Sequence, residues 1–210
     1  MMRARVAVLL FLVATVVRAD DGQDAHLFAG AQHFQAGRYT EALVEFRVAE
    51  RLATDGGPTW YVAATLVKLK RPEEAITAFG RAEAKDPADR DGLFDYYHAL
   101  ACYDARLFHC ADHLLEAVGE RAGPKIAGQA RKVRGDLAPL LSKAAPPGAL
   151  DWYHARGLDA LNGNQPALAA AYFEEAVEWA TGRPDAYRLG EAKAGLARAR
   201  AALVPTGPKP

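Results

Sequence analysis

One spaced pattern constrains this chain more than anything else in it. An alanine, an aromatic four residues on and an alanine three further recur as Ala42, Phe46 and Ala49, as Ala75, Phe79 and Ala82, and as Ala169, Phe173 and Ala176. A weaker copy is Ala111, Leu115 and Val118. Another small residue stands twelve positions before each leading alanine: Gly30, Ala63, Ala99 and Gly157. Residues three and four apart share one face of a helix. The small ones let two helices approach closely, and the aromatic fills the gap that a neighbouring hairpin leaves. A single hairpin cannot bury its own apolar face, so it must pack on copies of itself. The pattern therefore predicts an all-α chain of helical hairpins.

At these residues the chain resembles the tetratricopeptide repeat (TPR) family. Repeat one carries the likeness through Gly30, Gly37, Tyr39, Ala42, Phe46 and Ala49, with Thr54 where a closing proline would fall. Repeat two carries it through Ala63, Ala75, Phe79, Ala82 and Pro87, but has Lys70 and Pro72 at its turn. Repeat three keeps Ala99, Phe108 and Ala111, then departs with Leu115 and Val118; repeat four keeps Gly157, Ala169, Phe173 and Ala176. The resemblance implies a right-handed superhelical solenoid of helix–turn–helix repeats. It also implies a concave face lined by the first helix of each repeat. Placed by that resemblance, the face holds Leu27, Phe34, Trp60, Val67, Tyr96, Leu100, Tyr103, His154 and Leu158. Such folds are defined by packing residues and carry many functions.

The chain opens with Arg3 and Arg5, followed by the apolar run Val6–Val17 and then Val17-Arg18-Ala19. This is the layout of a secretory signal. The run is short for a bilayer, which needs about 20 apolar residues, so cleavage after Ala19 is expected rather than retention as an anchor. Loss of residues 1–19 leaves 23 basic against 26 acidic residues. That balance lacks the electrostatic footprint of a nucleic-acid binder. Export to the periplasm or outside is expected, with no stable membrane insertion after cleavage.

The repeats are expected at about 24–55, 56–89, 92–123 and 150–183, within one domain over 20–203. Asp24 is expected to cap the first helix. Gly56-Gly57-Pro58 breaks the chain before the second hairpin, and Pro72 suits a first helical turn. The leading alanines are 33, 36 and then 58 residues apart. The excess falls on 124–147, where Ile126, Ala130, Val133, Leu137, Leu140 and Leu141 make a helical stripe. An extra helix is expected there, capping repeat three and packing on repeat four. A last helix, Ala186–Leu203, has leucines at 189, 196 and 203 and is expected to cover the C-terminal end; 204–210 is rich in Pro and Gly and expected to be disordered.

Chemistry concentrates in the third hairpin, with Cys102, Cys110, His98, His109 and His113. His109 and His113 stand at i, i+4, a spacing that can share a metal, but two ligands do not define a site. Cys102 and Cys110 flank the turn at Arg106-Leu107, so a hairpin can bring them together. A disulfide suits an exported protein; two buried free thiols are the favoured alternative, since free Cys often serves as a small core residue. No Gly-rich phosphate loop, nucleophile elbow or metalloprotease signature is present. The chain is thus expected to be a non-enzymatic scaffold of the cell envelope, without cofactor, binding a protein or peptide on its concave face. The alternatives are a structural subunit of an envelope assembly and a metal- or redox-active protein using Cys102, Cys110, His109 and His113.

Overall fold

The structure, a computed structural model, describes residues 21–86, 91–181 and 188–203. The expected targeting segment, Pro87 and the tail 204–210 lie outside the described residues. Every regular element described is a helix. Two compact units divide the chain, one up to Arg90 and one from Asp91.

The first unit holds α1 (Asp21–Gln35), α2 (Tyr39–Leu52), α3 (Gly57–Lys68) and α4 (Pro72–Lys85). Each packs on the next in sequence. The second holds α5 (Gly92–Asp104), α6 (Phe108–Arg121), α7 (Pro124–Leu141), α8 (Ala149–Asn162), α9 (Pro166–Ala180) and α10 (Leu189–Leu203). Here α5 packs on α6 and α6 on α7, while α8 packs on α9 and α9 on α10. The two triplets meet where α9 lies against α6.

Four hairpins share one turn. Gly37, Lys70, Arg106 and Asn164 all have positive φ, at 75°, 57°, 64° and 54°. Each stands five positions before its leading alanine. The N–H after each reaches back five residues: Arg38 to His33, Arg71 to Leu66, Leu107 to Cys102 and Gln165 to Ala160. The N–H of the positive-φ residue reaches back three, as in Gly37 to Phe34. This is the Schellman closure of a helix C-terminus. The next helix then begins at once, with Ala42, Ala75, Ala111 and Ala169 donating its first internal bond.

The core follows the sequence pattern. Ala42, Phe46, Ala49, Ala75, Phe79, Ala82, Ala111, Ala169, Phe173 and Ala176 are buried, as are Gly30, Ala63, Ala99 and Gly157. The spacing between small residue and aromatic has a direct cause. A Cβ on Gly30 would lie 2.5 Å from Phe46 Cε1, and one on Gly157 would lie 2.7 Å from Phe173 Cε1. The glycines stand where a ring touches the helix backbone.

Several expectations need correction. Asp24 lies inside α1, which starts at Asp21, so it is no cap. Asp91 caps α5, its side chain accepting from the N–H groups of Leu93 and Phe94 at 2.9 and 2.8 Å. The extra helix ends at Leu141, with Pro139 inside its last turn, and packs on α6 and α5. Repeat four is held to repeat three by α9 against α6. In α10 the packed face is Ala192, Gly195 and Ala199 rather than the leucines, because Gly195 lies against the Phe173 ring.

Candidate functional site

The residues expected on the contact face divide in three. Tyr96, Leu100 and Tyr103 are half-buried and spaced by four and three on α5, so they form one stripe. Burial raises the Tyr96 pKa above its ordinary value. The Tyr103 ring meets Phe108 edge-on at 6.1 Å. In the first unit Leu27, Phe34 and Trp60 are also half-buried, with Phe34 against Tyr39 at 5.3 Å and Trp60 against Tyr61 at 5.1 Å. These side chains keep some surface to offer. Val67 does not: it is 5% exposed and belongs to the core of the first unit. Its neighbours on α3, from Val62 to Leu66, are buried with it, so this helix is packed on more sides than an amphipathic stripe would be. His154 and Leu158 are half-buried on α8, but His154 faces the Phe173 ring at 5.7 Å and Glu191 of α10 at 3.9 Å. The last helix thus covers part of the face that repeat four was expected to present.

The tightest polar arrangement lies elsewhere. Glu175, on α9, is fully buried. Its oxygens accept from the N–H groups of Phe108 (3.0 Å), His109 (3.0 Å) and Cys110 (3.3 Å), the first three residues of α6. They also accept from Trp179 Nε1 at 2.8 Å, and His109 Nδ1 lies 2.9 Å from Oε1. A carboxylate can only accept, so this nitrogen carries the proton. The His109 ring meets Trp179 edge-on at 4.7 Å. Beside them the Tyr153 hydroxyl donates to the Arg106 carbonyl at 2.8 Å. Burial first, and then the negative charge of Glu175, pushes the Tyr153 pKa up to about 12.

The local reason is an uncapped helix. The first amides of any helix have no internal partner. α4 and α9 begin with proline, which removes one such donor. α6 begins with Phe108 after Leu107, whose side chain cannot cap. Packing of α9 would bury these amides unpaired, and an orphaned buried donor costs about 1–3 kcal/mol. Glu175 supplies the acceptor from another hairpin, and its charge suits the positive end of the helix dipole. Five nitrogens thus converge on the two oxygens of this one side chain.

The same segment carries the cysteines. Cys102 and Cys110 form a disulfide, with Cα atoms 6.0 Å apart, within the range a bridge requires. The free-thiol alternative is overturned, because the turn at Arg106 folds α5 and α6 back in register. His113 is exposed, and Asp112 is engaged by Arg134 of α7 at 2.7 Å. Among the described residues, no group of three or more His, Cys, Asp or Glu side chains is placed to hold a metal.

No family model, curated protein or solved structure matches this chain. Its function is therefore read from side chains and their geometry. Sequence reasoning missed Glu175 and Tyr153. The available signal was indirect: a helix start at Phe108 with neither a capping residue nor a proline, which demands an acceptor from elsewhere.

Proposed function

We propose that this is an exported helical-repeat protein of the tetratricopeptide type. In this reading it binds a protein or peptide partner through the outward sides of its first helices. The right-handed superhelix belongs to the same proposal and rests on the sequence resemblance. The observation that carries the binding reading is the stripe Tyr96, Leu100 and Tyr103 on α5, half-buried although the hairpin pattern does not require these residues. Half-exposed aromatics on a rigid helix lose little entropy on binding and concentrate interface energy. A partner helix or extended segment laid along such a stripe is a recurring mode of peptide recognition. Two features support export: the charged start and apolar run of Met1–Ala19, and a disulfide, which persists in oxidising compartments. Among the described residues no helix is long and apolar enough to cross a membrane.

The test is capture from the native envelope with the purified chain, followed by titration of the captured partner. Trp60→Ala and Tyr103→Ala should each weaken binding by at least about 1 kcal/mol while leaving the melting temperature nearly unchanged. Normal binding by both variants, or their unfolding, would assign these rings to the core and end the proposal.

A further inference from the structure

We propose that the Cys102–Cys110 bridge is a thiol–disulfide exchange site for a small dithiol reductant, and that its redox state sets how firmly the α8–α9 hairpin is held to α6. Three observations converge on the segment 102–110. The bridge ties the first turn of α6 to α5. The N–H groups of residues 108–110 are held by Glu175 of α9. The carbonyl of Arg106, in the turn between the two cysteines, is held by Tyr153 of α8. Repeat four thus grips the disulfide-closed loop at both ends of its turn. The grip requires three amides to converge on one carboxylate, and Arg106 keeps a left-handed backbone throughout, with φ at 64°. A covalent tie at Cys110 holds that convergence in place. Without it the first turn of α6 is free to fray, because its amides have no partner inside the helix.

Exchange runs through Cys110, the more exposed residue of the pair. Cys102 is fully buried, whereas Cys110 keeps some exposure. A reductant thiolate attacks the Cys110 sulfur, forming a mixed disulfide and expelling Cys102 as a thiolate, which takes up a proton. The second thiol of the reductant then attacks its own bridged sulfur. Cys110 leaves and is protonated, and the reductant departs as a cyclic disulfide. Two electrons and two protons reach the protein. The Cys102 thiolate forms in a buried setting, and while α8–α9 is docked the Cys110 thiolate forms on a residue whose N–H is held by the Glu175 carboxylate; both settings disfavour the charge. Docking therefore slows reduction, and reduction loosens docking; thermodynamic linkage makes the coupling mutual.

Amide exchange on the full chain reads this directly. Ala111 donates the first internal bond of α6, so protection at Phe108, His109 and Cys110 reports on Glu175 alone. Reduction with dithiothreitol should speed exchange at these three amides by at least about tenfold and leave the Tyr39–Leu52 helix unchanged. Tyr153→Phe, kept oxidised, should be reduced at least about threefold faster than the native chain. Equal protection of 108–110 in both redox states would refute the coupling. Collapse of protection throughout the second unit on reduction would make the bridge a structural staple and refute it as well. An unaltered reduction rate in Tyr153→Phe, with its fold intact, would remove the second arm of the proposal and overturn it.

Discussion

Gly157→Ala adds one methyl group, and its effect is set by what that methyl would meet. It would lie 2.7, 2.8 and 2.9 Å from Cε1, Cζ and Cδ1 of Phe173. The same ring edge already faces Gly195, where a Cβ would come within 2.5 Å, and Phe173 is fully buried. The ring has no free volume to retreat into. Overpacking of this kind costs about 1–3 kcal/mol. Alanine in a helix recovers about 1 kcal/mol over glycine, leaving a net loss of up to about 2 kcal/mol. Gly135→Ala, in α7, makes the same chemical change with nothing within 4 Å of the new atom. It should therefore gain about 0.5–1 kcal/mol. Equilibrium urea denaturation followed by circular dichroism compares the two at constant slope. Phe173→Leu in the Gly157→Ala background should show a favourable coupling of about 0.5–3 kcal/mol. A Gly157→Ala variant that gains as much stability as Gly135→Ala would refute the close contact and, with it, the explanation of the repeat spacing.

Two further outcomes follow from the turns and the buried cluster. Tyr153 has its pKa raised to about 12, so its contribution is complete below the ordinary tyrosine value near 10. It is lost as pH rises between about 10 and 12, at up to about 1.4 kcal/mol per pH unit, because only the unfolded chain sheds the proton there. Urea midpoints measured across that window should fall less steeply for Tyr153→Phe than for the native chain. Lys70 holds a left-handed backbone at φ 57°. Lys70→Gly relieves that strain but adds freedom to the unfolded chain, so a gain of up to about 1 kcal/mol is expected in the same denaturation assay.

The hairpins were legible because their cause is local. Alanine, aromatic and alanine on one face, with a small residue sixteen positions before the aromatic, encode a contact between adjacent helices. Residues such as Gly30 and Phe46 therefore announce each other. Turn position was legible for the same reason, although only Gly37 among the four left-handed residues is a glycine. The docking of repeat four was not legible. It depends on Glu175, in a stretch where two adjacent glutamates read as solvated surface, and nothing local says that one of them faces three amides of another hairpin. Val67 was misplaced because the family resemblance that put it on the concave face does not reveal that α3 is packed on several sides. The disulfide lay between: the turn placed the cysteines within reach, but only the structure closes the bridge.

The Glu175 clasp has a consequence for how the second unit is made. Contacts between consecutive helices close short loops, and chains built from them fold fast. Glu175 instead reaches amides 65, 66 and 67 residues back along the chain. On a ribosome, α6 emerges well before its acceptor does, at about 5–20 residues per second. Until then its first turn lacks the Glu175 acceptor. Each three-helix half can form as it appears, and their joining is a late event that waits for α9 to be synthesised.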